Sequence, residues 1–326
     1  MNNNMKTVLV TGCLGTIGIK TINYLLENTD YNIIGIDNCI SNPKERVFEI
    51  INHDRFKCYS SVLFTDPLDN KLKPLFEFMN VDCILHLASL IGSMSNSVES
   101  NSKYFDNNEK LTLDLLNYCV EYKIPKFIFA SSSSVYGNQS CKLTEDSDLQ
   151  PLAMYGITKV NSEKYINYYH EFFGLNTVIL RYTNVVADIK YYGYKGFIPL
   201  MVDKIVNDEP IKLFNNGQSK RQYIFIDNIA KANYLAIEND NVSGETFNIT
   251  VDEEPISLIT ACNYIYSKLN KDPNYTLYSE KQFGDIDCNW MSNSKAKEKL
   301  GFEVITDMYS GIDKYIDYYL MTSIDF

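Results

Sequence analysis

Apolar residues gather into short runs along the first half of the chain, at Lys6–Thr11, Asn32–Asp37, Val81–Leu87, Lys126–Ser131 and Thr177–Arg181. Each has the length of a strand buried on both faces. Lys57–Thr65 is a weaker candidate. Between the runs the apolar spacing changes to the helical period, most clearly at Thr16–Glu27, Lys103–Tyr122 and Tyr155–Phe173. Strands alternating with helices predict βαβ units, and so an α/β fold with a doubly wound parallel sheet. Beyond Arg181 the alternation loosens, beginning with the Gly- and Tyr-rich stretch Tyr191–Gly196. The expected division is a first domain over residues 1–182 and a smaller substrate-binding domain drawn mainly from residues 183–326. A segment at about 218–247, containing the helix Asp227–Glu238, is expected to return to the first domain.

Composition narrows the partners. A chain of 326 residues with 45% hydrophobic content has room for two packed domains. Acidic residues outnumber basic ones by 41 to 30, and no long Lys/Arg run breaks the net charge of −11. Neither a nucleic acid nor a membrane is therefore an expected partner. Arginine occurs only at Arg46, Arg55, Arg181 and Arg221, so a phosphate-bearing ligand would lean on few of them. The eight cysteines contain no C-x-x-C pair, which argues against zinc and for reduced thiols. The polar start before the first strand does not resemble a signal peptide, and no apolar run reaches bilayer length. A cytoplasmic protein is the expectation.

The first strand ends in Thr11-Gly12-Cys13-Leu14-Gly15-Thr16-Ile17-Gly18, and a helix follows at once. Glycines at such a junction let the backbone turn tightly and approach a pyrophosphate, whose charge is favoured at the helix N-terminus. Gly12, Gly15, Thr16, Ile17 and Gly18 are the candidate cradle. Asp37, followed by Asn38, ends the second strand at the separation where a ribose-binding acid belongs. A carboxylate there accepts from both ribose hydroxyls and repels a 2′-phosphate, which predicts NAD rather than NADP.

A second constellation follows the fifth strand, which runs into Ser131-Ser132-Ser133-Ser134-Val135-Tyr136-Gly137. Downstream, Tyr155 and Lys159 open a helix and share one of its faces. A phenol titrates near ~10 and is a poor base until a nearby cation favours the phenolate. Tyr and Lys four residues apart also occur at Tyr122/Lys126, Tyr191/Lys195 and Tyr264/Lys268. Pro125 interrupts the first, Gly193 sits in the second, and the third lies in the second domain. Position selects Tyr155/Lys159, with a Ser hydroxyl to orient a substrate oxygen. His86, at a strand end, reads as structural.

Taken together these motifs resemble the extended short-chain dehydrogenase/reductase family, in its NAD-dependent sugar-nucleotide epimerase/dehydratase branch, over nearly the whole chain. The resemblance implies a catalytic set of Ser132, Tyr155 and Lys159. It implies NAD contacts from the glycine cradle, Asp37, Asn38, Asp66 beside the adenine, Leu87 and Ala88 of His86-Leu87-Ala88-Ser89, Asn108, Tyr155 and Lys159. Substrate contacts are implied for Ser132, Ser133, Tyr155, Asn184, Arg221, Asp285 and Asn289, with no metal. The helices Lys103–Tyr122 and Tyr155–Phe173 would form a homodimer interface. Two departures stand out: Gln222 replaces an Asp after Arg221, and Lys281-Gln282 stand where a second diphosphate Arg is usual. A weaker ligand grip and an unusual nucleotide both remain open.

Dehydratases of this branch carry a carboxyl just before Val-Tyr-Gly, because water elimination needs an acid/base there. Ser133 and Ser134 occupy those places here. The serine version resembles hexose 4-epimerases, which predicts transient oxidation at C4 of a nucleotide-diphosphate hexose, with a UDP-sugar favoured. Asn289, intermediate in size, lines the sugar pocket by the same resemblance and allows an N-acetyl group. The alternatives are a sugar-nucleotide dehydrogenase or 4-keto-reductase, a 4,6-dehydratase, and a catalytically idle NAD-binding regulator.

Overall fold

The computed structural model describes residues 5–39, 53–60, 73, 76, 77, 79–91, 98–189, 196–273, 276–281 and 286–323. Strands β1 (Thr7–Thr11), β2 (Asn32–Asp37), β3 (Phe56–Ser60), β4 (Cys83–His86), β5 (Lys126–Ser132) and β6 (Asn176–Tyr182) follow the apolar runs, and β11 (Glu245–Ile249) joins them. All seven are parallel, in the order β3-β2-β1-β4-β5-β6-β11. Side chains of a strand alternate between faces. Val8 and Val10 of β1 accordingly pack with Ile22 and Leu25 of helix α1 (Thr16–Asn28) and Ile229 and Ile237 of a later helix. Leu9 faces the other way, toward Leu115 and Ile166. The sheet is thus covered on both sides, which is why its strands read as unbroken apolar runs.

The predicted helix Lys103–Tyr122 is not a single α-helix. It is built from α2 (Val98–Tyr104), a wider π-type turn at Phe105–Lys110, and α3 (Leu111–Glu121). Such widened turns concentrate at functional sites, and this one carries Asn108. Helix α4 (Met154–Phe173) is continuous and ends at Gly174, whose positive φ of 66° closes the last turn.

The later half supplies small sheets. β7 (Asn184–Val186) pairs with β10 (Tyr223–Phe225), and β8 (Ile211–Leu213) with β13 (Thr276–Tyr278). β9 (Lys220–Arg221) lies between β12 (Ile256–Ser257) and β14 (Cys288–Asn289). Helices α5 (Phe197–Val206), α6 (Ile226–Glu238), α7 (Leu258–Lys268) and α8 (Met308–Ser323) complete the described α-helices. The expected return segment differs at both ends. Lys220–Arg221 pairs with β12 and β14 instead of the large sheet, and the strand that does join that sheet runs on to Ile249. Helix α6 is tied to α1 by Asn233 Nδ2 donating to Thr21 Oγ1 at 2.9 Å.

Candidate active site

The strand-to-helix turn after β1 brings backbone against backbone. Gly12 has a φ of 68°, and a Cβ on it would sit 2.7 Å from the backbone N of Ala88. A Cβ on Gly18 would stand 2.3 Å from the Gly12 carbonyl. Both positions therefore require glycine. Gly15 caps α1 without a side-chain hydrogen bond, leaving the helix N-terminus to face a ligand anion. Thr16 and Ile17 open that helix. Asp37 is buried at the end of β2; its carboxylate accepts from Leu14 N at 3.0 Å and from Cys39 N at 2.8 Å, so it borders the cradle. A glycine turn that only backbone can fill, beside a buried acid at a strand end, fits a dinucleotide with an unmodified ribose.

Leu87 and Ala88 follow β4 across from the cradle. Leu87 N donates to Thr11 O at 3.2 Å, and Ala88 N to Thr11 Oγ1 at 3.2 Å. His86 bridges Thr11 and Thr112 through Nδ1 (2.7 Å) and Nε2 (3.1 Å). Thr112 gives its proton to Asn108 O, so it accepts from Nε2–H, while Nδ1 accepts from Thr11. Burial, with Lys159 nearby, pushes His86 down to about 3, so it stays a neutral crosslink. Asn108 is a clamp. Its Oδ1 accepts from Leu90 N and Ser89 Oγ, and its Nδ2 donates to Leu90 O and Thr158 Oγ1. These bonds fill the capacity of an amide. Asn108 thereby fixes the loop after β4 against α4.

Ser132, Tyr155 and Lys159 converge at the C-terminal end of β5. Ser132 caps the short turn Ser133–Tyr136, its Oγ accepting from Ser134 N at 3.2 Å. Lys159 is buried; its Nζ donates to Ala130 O at 2.7 Å and lies 5.7 Å from the centre of the Tyr155 ring and 4.5 Å from that of Phe129. Burial pushes the Lys159 ammonium down to about 7, opposed by the Glu163 carboxylate. Tyr155, Lys159 and Glu163 follow one another at a spacing of four along α4, so the three share a face.

Residues expected on the substrate side come together from distant parts of the chain. Ser133 Oγ accepts from Asn289 Nδ2 at 2.8 Å, both residues being buried. Asn289 is register partner to Arg221 across β14 and β9. Asn184 Nδ2 donates to Gln222 O at 2.9 Å. Gln222 itself is wholly buried: its Oε1 accepts from Met291 N, and its Nε2 donates to the carbonyls of Val251, Glu253 and Met291. An Asp has no donor and a shorter reach, so this departure from the family pattern serves to stitch β14 beside Arg221. Lys281 is spent on Asp287, with Nζ 2.6 Å from both carboxylate oxygens, and does not replace the second Arg. Asp66 and Asp285 lie outside the described residues. Glu163 and the Asn108 partner Thr158 were not singled out from sequence; the spacing of four from Lys159 was the available signal for Glu163.

The NAD dependent epimerase/dehydratase family model matches residues 8–250. A Bacillus subtilis protein described as an uncharacterized UDP-glucose epimerase, YtcB, is 30% identical, covering 95% of this chain and 97% of its own. Among solved structures, UDP-glucuronic acid 4-epimerase from Bacillus cereus, in complex with UDP-glucuronic acid and NAD, superposes with a TM-score of 0.88 at 27% identity. It covers 97% of this chain and 99% of that one. UDP-N-acetylglucosamine 4-epimerase from Methanobrevibacter ruminantium, in complex with UDP-N-acetylmuramic acid, gives 0.85 at 28% identity over 98% and 99% of the two chains.

Proposed function

This chain belongs to the NAD-dependent epimerase/dehydratase family, and we propose that its reaction is inversion at C4 of a UDP-hexose. The observation that carries this reading is the pairing of Ser132, Tyr155 and Lys159 at the end of β5 with Ser133 and Ser134, two hydroxyls where elimination would need a carboxyl, Ser133 being bonded to Asn289. Tyr155 takes the O4 proton and returns it, Lys159 favours the phenolate by its charge, and Ser132 orients O4. NAD, when bound in the glycine cradle, supplies the chemistry of taking the C4 hydride and giving it back. Between those events the 4-keto sugar turns to present its other face. Arg221, Asn184 and Asn289 hold the nucleotide and sugar, and the UDP assignment draws on the ligands of the relatives.

The working unit is a homodimer. On α4 the rings of Tyr168, Phe172 and Phe173 are 49%, 69% and 52% exposed, and Phe105 and Val120 add to an apolar surface on the neighbouring helical segments. A second copy covers such a surface in the same way on both subunits. No described helix is long and apolar enough to cross a membrane, and the acidic, thiol-bearing chain is assigned to the cytoplasm.

The test is incubation with UDP-hexoses deuterated at C4, following epimer ratio, label position and NADH absorbance together. Epimerisation returns the label to C4 with bulk NADH flat. Stoichiometric NADH release identifies a dehydrogenase, and a 4-keto-6-deoxy product a dehydratase.

A further inference from the structure

Glu163 lies one helical turn beyond Lys159 and is buried. Its Oε1 accepts from Ser131 Oγ at 2.5 Å and from Arg181 Nε at 3.0 Å; its Oε2 accepts from Arg181 Nη2 at 2.7 Å. Ser131 and Arg181 are register partners in the β5–β6 ladder, so both hold Glu163 from directly opposite positions. Arg181 Nη1 reaches on to the Tyr136 hydroxyl at 2.8 Å and to Glu145 O at 3.2 Å, and that hydroxyl donates to Asn248 Oδ1 at 2.7 Å. Ala130 and Ser131, the two residues before Ser132, thus grip Lys159 and Glu163 on successive turns of α4.

We propose that Glu163 is a positioning residue for the hydride-transfer centre: clamped by Ser131 and Arg181, it sets α4 in register on β5 so that Tyr155 and Lys159 meet Ser132. The inference rests on the reading that Tyr155 and Lys159 carry the proton transfer. Burial acts against charge at Lys159 and the Glu163 carboxylate acts for it. The other groups near Lys159 are Tyr155, the Phe129 ring and His86, which burial holds neutral. A carboxylate fixed by a bidentate guanidinium cannot swing away, so both its charge and its place are preorganised.

The competing explanation is that Glu163 merely neutralises Arg181. Four variants separate the two: Glu163→Gln, Glu163→Asp, Arg181→Met and the double variant E163Q/R181M, with Tyr155→Phe as control. Steady-state kcat and KM are measured across pH, with NAD retention and thermal unfolding as checks on folding. E163Q is expected to lower kcat about 10- to 100-fold, the scale of a catalytic group misplaced by about 1 Å, while KM stays within about twofold. The alkaline limb of kcat moves to lower pH, because Lys159 then loses its proton more readily. E163D recovers part of the loss. The double variant removes both charges and so avoids a lone buried ion; it stays as slow as E163Q. Parent-level kcat in the double variant, or in E163Q, overturns the inference. An active Y155F would instead overturn the reading of the centre itself.

Discussion

Lys159 costs the fold stability in proportion to its usefulness. Burial moves its ammonium from the ordinary 10.5 to about 7. Between those values the unfolded chain binds more protons than the native one, so stability rises with pH through that window and is lowest below about 7, where the native ammonium stays charged without water around it. A displacement of about 3.5 units at ~1.4 kcal/mol each sets the penalty below pH 7 on the order of 5 kcal/mol, of which roughly 3 kcal/mol is relieved between pH 6 and pH 9. Lys159→Met removes the charge, keeps most of the volume, and gives up the bond to Ala130 O, worth about 1 kcal/mol. The cofactor-free variant is therefore expected to be more stable than the parent by a few kcal/mol at pH 6, with the advantage shrinking by about 3 kcal/mol at pH 9. It should also lose turnover, a trade common to catalytic groups held in strained surroundings. Urea unfolding of both proteins at the two pH values, followed by circular dichroism and by the fluorescence of the single Trp290, measures the difference. A variant less stable than the parent at pH 6, or an advantage that does not change with pH, refutes the argument.

Tyr155→Phe should lower turnover by about 10²–10⁴ while NAD binding survives, read by product formation and cofactor titration. Asp37→Ala frees Leu14 N and Cys39 N and removes the ribose acceptor, so NAD affinity should fall and its margin over NADP narrow in parallel titrations. Gln222→Ala leaves Met291 N and three carbonyls without their partner, at a cost of about 2–4 kcal/mol in unfolding, and loosens UDP-sugar more than NAD. Phe172→Glu places charge in the aromatic surface of α4 and should give a monomer by light scattering; an unchanged mass would place the dimer contact elsewhere.

Local spacing was sufficient for much of this protein. The apolar runs located the strands of the large sheet, because strands buried on both faces have no polar side to interrupt them. The glycine spacing located the cradle, because the positive φ of Gly12 and the close approach at Gly18 are demands made on single residues. Tyr155 and Lys159 were selected by their place at the head of a helix after the serine run, and Tyr and Lys at helical spacing elsewhere in the chain did not compete.

Other features depend on contacts between residues far apart in the chain, on which periodicity is silent. Asn108 sits on a π-type turn that no local pattern signals, and its four bonds run to Ser89, Leu90 and Thr158. Gln222 read as a departure from the family, whereas its partners at Val251, Glu253 and Met291 make it a buried stitch. Arg181, one of only four arginines and a natural candidate for phosphate, is instead committed to Glu163 beneath the site. The physical reason is common to the three. A buried polar side chain must find partners wherever the folded chain supplies them, and which residues become those partners is decided only when segments distant in the chain pack together.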